Sequence, residues 1–562
     1  MDRPYRLVIV ALAIVLIAAQ IPGRVAAATT LPVPQLLQRI DLSSFAAPGA
    51  YFRASAQFGD LNNDGVSKDF IRYVNGRRMQ AFTTTGASAQ LLWEYEAPVV
   101  VPDPPDRYFY KYLVWDIDAD GQTEVVGSFP GSSGFIELRV LDGATGIVER
   151  SLTTTIPNPV SSDRVREWRI KVTAANMRGL AQPQDIVVLT ENNSNGEIYV
   201  YDDQLNLLWD TSGDGVRRIY AHYPWVADLD GDGKDELVGT WIFDDDGTRL
   251  ARLTPPAWEG QDFFYDHIDR AMIGDLDPNR PGIEIALSHE FLNAALLNAA
   301  GAPYWSLPTT ESDAKITAVG EFNNASSGVE IIYEDPARPA GRDTLDINGN
   351  DILRHDDTPT YQVRDGFHID WDGDRSVDEL FVPRNGAVFA PFNLQGSGED
   401  YYKANQVTPT LSGMRIYAYA LDFRGDYREE IVVIDDDELL VYGAGGKGPL
   451  KQMSPWANPA YSLAIANQMS DNHPERPWFN FRELNAVPLQ LTSICNGTWR
   501  IRNSNPYSVR YAWDVYGTSE AGGDIAASGD TFFTTTGGSQ TVRIFVNGMQ
   551  VTVKASNPTP CL

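Results

Sequence analysis

The 562-residue chain is poor in the residues from which many catalytic centres are made. It has two cysteines, Cys495 and Cys561, and six histidines, so no CxxC redox pair and no Cys/His zinc spacing occurs. A phosphate-cradling Walker loop and a Gly-x-Ser-x-Gly nucleophile elbow are also missing. Helical periodicity is nearly absent, which argues against an α-rich fold. Cations are short as well: 45 Lys and Arg stand against 75 Asp and Glu, a net charge of −30. Such a field repels nucleic acid, and no nucleic-acid partner is expected. Past the N-terminal region no segment stays apolar for the roughly 18 residues that a membrane helix needs.

The N-terminal region is the exception. Arg3 and Arg6 precede an apolar run from Leu7 to Ala19, followed by Pro22-Gly23 and the small-residue stretch Val25 to Ala28. The run is too short to span a bilayer and has the layout of a secretory signal peptide. Residues 1–28 are therefore expected to be removed, and the mature chain to be secreted and extracellular. In that oxidising setting Cys495 and Cys561 are expected to bridge a terminal domain.

What the chain has in abundance is a repeat. An apolar strand leads into Asp-x-Asp-x-Asp-Gly or a worn form of it, then an acidic residue, then a strand of Val, Ile and Leu. Clear copies start at Trp115 (WDIDADGQTEVVG), Val226 (VADLDGDGKDELVG) and His368 (HIDWDGDRSVDELFV). Weaker ones start at Phe58, Ile273, Val319 and Ala420, and a degenerate one at Thr173. Eight units with several short strands and turns each read as an all-β chain, an eight-bladed β-propeller over residues 29–485. Beyond about Pro488 the repeat stops. There the strict alternation of NGTWRIRNSNPYSVRYAWDVYG and FVNGMQVTVKA predicts a small β-sandwich domain over 488–562, closed by the disulfide.

The acidic loops have calcium chemistry. Asp228, Asp230, Asp232 and Glu236 stand at positions 1, 3, 5 and 9, with the Lys234 carbonyl at 7 and Gly231 and Gly233 allowing the tight turn. Asp116, Asp118, Asp120 and Glu124 repeat the spacing, as do Asp370, Asp372, Asp374 and Asp378; the weaker copy at Ile273 offers Asp275 and Asp277. Hard oxygen donors at that spacing wrap one cation. An EF-hand needs flanking helices and a Glu at position 12, and strands flank these loops instead. At Phe58 position 9 is Lys68, so Asp69 is expected to serve there; at Ala420 position 3 is Arg424, so a salt bridge is expected in place of the metal. The expected role of calcium is a structural staple.

Longer strings carry a resemblance. HYPWVADLDGDGKDELVGTWIFDDDG from His222, DHIDRAMIGDLDPNRPGIEIALSHE from Asp266, WDGDRSVDEL from Trp371 and DFRGDYREEIVVI from Asp422 stand in the order found in family 11 rhamnogalacturonan lyases, which this chain resembles over about residues 50–480. The resemblance implies an eight-bladed, calcium-binding propeller that cuts the rhamnose–galacturonate backbone of pectin by β-elimination. It implies a pectic polysaccharide as partner; the chain is expected to act as a monomer. His222, His267 and His289 sit at family-matching places. Lys315 takes the place of a family arginine at a one-residue offset, in Ala314-Lys315-Ile316. These four are the candidate catalytic residues. Other departures are Thr190 to Ser194, where the family has Tyr-Tyr-Thr-Arg, Met272, where it has a second His, and the short segment before Tyr51. The competing class is a non-catalytic propeller of integrin-head type that binds a glycan or a protein.

Overall fold

A computed structural model describes residues 31–556 with gaps, the longest being 46–55, 97–107, 159–167, 254–267, 355–365 and 382–416. The predicted signal segment 1–28, His267 and Cys561 lie outside the described residues.

The chain is all-β, organised as many four-stranded antiparallel sheets. Eight sheets precede the C-terminal region among the described residues. Their first strands are β1 (Gln57–Gly59), β2 (Leu113–Trp115), β3 (Trp168–Ala175), β4 (Trp225–Ala227), β5 (Ile268–Gly274), β6 (Lys315–Gly320), β7 (Phe367–Ile369) and β8 (Tyr417–Leu421). The sequence favours strands here because runs such as Ile186-Val187-Val188-Leu189 are rich in β-branched residues and buried on both faces, as a sheet between two others requires. Two sheets depart from the four-stranded plan. The third takes Tyr108–Tyr110 as a fifth strand, parallel to β3, and the seventh has two described strands.

Each sheet packs on the next in chain order. The Lys111 N–H reaches the Ile170 carbonyl, Ala221 bridges Ile268 in parallel, and the Gly366 N–H reaches the Thr317 carbonyl. The eighth sheet meets the first: the rings of Phe58 and Tyr419 lie 5.1 Å apart edge to face, and the Ala56 N–H donates to the Tyr419 hydroxyl at 2.7 Å. The eighth sheet takes its outer strand, Pro34–Asp41, from the other end of the chain, paired antiparallel with Glu438–Ala444.

Helix α1 (Pro459–Asn467) and the return segment through Phe481 fill the space between the first strands. Asn458 caps the helix by accepting from the Ala460 N–H. Asn467 exchanges two hydrogen bonds with the backbone of Ala174, Tyr223 donates to the Asn467 carbonyl, and Lys111 Nζ reaches the Ala466 carbonyl. Arg476 pairs with Glu429 at 2.7 Å and Arg270 with Glu475 at 3.3 Å, all four side chains buried. Pro459 and Ala460 are exposed while Tyr461 and Ala464 to Asn467 are buried, and this short, mostly apolar helix carries no amphipathic stripe for periodicity to reveal.

The C-terminal region has a three-stranded sheet (Gln490–Cys495, Thr498–Arg502, Asp530–Thr534) and a four-stranded one (Ala521–Ile525, Val509–Val515, Thr541–Val546, Met549–Ala555). Trp499, Ile501, Val509, Val542 and Ile544 form their common core. It touches the first sheet where the Ser67 N–H donates to Asn547 Oδ1 and where Arg510 reaches the Asn63 carbonyl.

Candidate functional site

Each acidic loop leaves the end of a first strand and is tied back by one carboxylate on the next strand. Asp69 accepts from the Asn62 N–H, Glu124 from Ile117, Asp185 from Arg178, Glu236 from Leu229, Glu284 from Leu276 and Asp277, Glu330 from Asn323, Glu379 from Trp371, and Glu430 from Phe423 and Arg424. In the fourth loop the second oxygen of Glu236 is buried with no protein partner, left over for a cation.

Carboxylate oxygens of Asp116, Asp118, Asp120 and Glu124 lie within 4.8 Å of one another, and so do those of Asp228, Asp230 and Glu236. Burial and the neighbouring charges push Glu124 up to about 8 and Glu236 to about 7. Like charges held this close need protons or a cation, and an all-oxygen set of this kind fits calcium. Asp232 lies outside the second cluster; its carboxylate accepts from the Lys234 N–H.

The other loops differ from the sequence reading. In the loop from Asp370 an extra residue makes Glu379, not Asp378, the closing carboxylate; Asp378 instead accepts from the Glu321 N–H of the preceding sheet. Arg375 lies 3.7 Å from Asp370, and no close carboxylate cluster forms there among the described residues. Asp277 is taken up by Arg280 at 3.1 Å and by the Asn279 N–H, so Asp275 and Asp277 form no such cluster either. Two further loops carry their own cation: Arg178 pairs with Asp185 at 2.6 Å and Asp203 at 2.8 Å, and Arg424 with Asp426 at 3.3 Å. The residue before the closing acid also ties neighbouring sheets together, as Asp235 does with Asn176 through two hydrogen bonds.

The candidate catalytic residues lie at the other ends of the strands. His222 precedes β4 while Asp228 follows it; His289 ends the strand Glu284–His289 and pairs with Ile268 at the start of β5; the Lys315 backbone opens β6. At about 3.3 Å per residue, β5 separates Asp269 from Asp275 by about 20 Å. His222 Nε2 lies 3.3 Å from Asp269 Oδ1, with side-chain exposures of 12% and 1%. Such a pair can act as a base with its orienting carboxylate or as two donors to a cation. His289 is buried, and its Nδ1 lies 2.8 Å from Asn293 Oδ1.

The profile described as "Rhamnogalacturonan lyase family 11, C-terminal domain" matches residues 191–486, more than half of the chain. The chain belongs to rhamnogalacturonan lyase family 11. Among relatives of this family, the rhamnogalacturonan endolyase YesW of Bacillus subtilis is 25% identical over 410 residues, covering 64% of this chain and 61% of YesW. The exolyase YesX of the same organism is 25% identical over 322 residues, covering 48% of this chain and 49% of its own. The chain thus spans less than two thirds of either relative. In fold it is similar to the Bacillus licheniformis rhamnogalacturonan lyase PL11, with a TM-score of 0.58 at 20% identity over 80% of this chain and 82% of the other. The crystal structure of YesX gives 0.56 at 20% identity, over 78% and 79%.

Proposed function

We propose that this chain is a secreted, calcium-stabilised polysaccharide lyase that cleaves pectic rhamnogalacturonan by β-elimination. Residues 1–28 serve as signal peptide, the eight sheets of 29–485 close into an eight-bladed β-propeller, and 488–562 form a disulfide-closed β-sandwich. The observation that most supports this is the gathering of His222, Asp269 and the Lys315 backbone at one end of successive first strands, inside the family-matched region.

β-Elimination needs a cation near the uronate, a base for the C5 proton and an acid for the departing oxygen. The C5–H electron pair becomes the C4–C5 double bond as the C4–O bond breaks, its pair leaving on the departing oxygen, which takes up a proton from water. His222 takes the proton through Nδ1, with Asp269 orienting the ring at Nε2; Lys315 is the cation assigned to the uronate, and His267 stands two residues before Asp269 in the chain. His289, buried against Asn293, serves as support for this edge. Calcium at Asp116/Asp118/Asp120/Glu124 and Asp228/Asp230/Glu236 staples the loops on the opposite face, too far away to touch the substrate. The test is release of unsaturated uronide from rhamnogalacturonan I by the calcium-loaded protein, set against the His222→Gln variant. A protein that binds the polymer and cuts nothing would instead be the non-catalytic glycan-binding propeller.

A further inference from the structure

The charge of this chain is unevenly distributed. Residues 488–562 hold five Lys and Arg against four Asp and Glu, a net +1, so the preceding 487 residues carry −31. An acidic polymer approaching the molecule meets a net negative field over the preceding residues and a near-neutral, slightly positive one at this domain. Within it, Arg500 and Arg502 stand two apart on Thr498–Arg502, whose intervening Ile501 and flanking Trp499 point into the core. Both guanidinium groups therefore project from the outer face of the three-stranded sheet. Neither forms a hydrogen bond or ion pair with a described side chain, although Asp530 stands opposite Arg502 in register. Directly across from Arg500 is Phe532, 61% exposed, and Ile494 on the other neighbouring strand is 41% exposed.

We propose that this outer face is a docking surface for an acidic, uronate-bearing polysaccharide. The two unpaired guanidinium groups take carboxylates in charge-assisted hydrogen bonds, and the Phe532 ring offers a flat apolar face to the C–H side of a sugar. The surface lies outside the family-matched region, and holding a chain there requires no cleavage, so the inference goes beyond the lyase reading.

The test is affinity electrophoresis of the full-length, calcium-loaded protein in native gels cast with rhamnogalacturonan I, neutral galactan or dextran sulfate. Rhamnogalacturonan should retard the wild type well beyond the other two. The Arg500→Ala/Arg502→Ala variant should need roughly tenfold or more polymer for the same retardation, since each charge-assisted hydrogen bond is worth about that much or more. Its melting temperature should not change, because both side chains are outside the core. The charge-keeping Arg500→Lys/Arg502→Lys variant should fall between, and Phe532→Ala should weaken retardation without altering its salt dependence. Equal retardation of wild type and double alanine variant overturns the proposal, as does equal retardation by dextran sulfate or by galactan. Release of unsaturated uronide, followed in parallel, separates the two readings: a wild type that is retarded but never cleaves leaves the surface standing and removes the lyase.

Discussion

A carboxylate that accepts a buried N–H while facing other carboxylates does two jobs that substitution can separate. Glu236→Gln keeps an acceptor for the Leu229 N–H but removes the charge, so metal-free melting should stay near wild type while the rise on adding calcium is largely lost. Glu236→Ala also strands that N–H, and should cost a further 1–3 kcal/mol or about that in either condition. Calorimetry with calcium and with chelator distinguishes the two; a glutamine variant with the full calcium response would remove Glu236 from the ligand set. On the opposite face, His222→Gln and Asp269→Asn should lower the cleavage rate by roughly a hundredfold or more while leaving calcium-dependent melting alone. His289→Gln should do the reverse and lower the melting temperature with the rate nearly intact, because its imidazole is buried beside Asn293.

At the scale of the loop, the pH dependence follows from crowding. Burial, with Asp118 and Asp116 beside it, raises Glu124 from 4.5 to about 8 in the folded chain. The proton is bound more tightly folded than unfolded, so this stabilisation is full below about 4.5 and is lost as pH rises towards 8. Metal-free protein should therefore melt at lower temperature as pH is raised from 5 to 8, and calcium, which displaces the proton, should stabilise more at each step. Metal-free melting that rises over this window would contradict the reading. Much at this scale was legible in the sequence: the Asp-x-Asp-x-Asp spacing found the two converging clusters, Asp69 closes the first loop, and Arg424 makes its salt bridge. What escaped were features that spacing does not encode. One extra residue moved closure of the seventh loop from Asp378 to Glu379: the seven-residue spacing of the other loops, counted from Trp371, lands on Asp378, and the observed spacing is eight. Arg178 stands inside a repeat too worn to read, and helix α1 is short and mostly apolar, with no amphipathic stripe. Strand direction also puts the histidines and the acidic loops at opposite ends of the same strands, which proximity in sequence hid.

At the scale of the molecule, a net charge of −30 includes two close carboxylate clusters among the described residues, one on the loop of the second sheet and one on the loop of the fourth, and these are where a cation would act on stability. A cation that binds only the folded chain adds about 2.7 kcal/mol per site at a hundredfold excess over its dissociation constant. Chelation should lower the melting temperature by several degrees and calcium should restore it; indifference to both would remove the metal from the account. A Cys495–Cys561 bridge, closing 66 residues, should add about 4 kcal/mol to the terminal domain, and peptide mapping without reductant that finds both thiols free would exclude it. The central claim, that this family member cleaves rhamnogalacturonan by β-elimination, is tested most directly by incubating the calcium-loaded, full-length protein with rhamnogalacturonan I and following ultraviolet absorbance of the unsaturated uronate. A steady rise that His222→Gln abolishes is the predicted result; no rise from a wild type that still binds the polymer would contradict it.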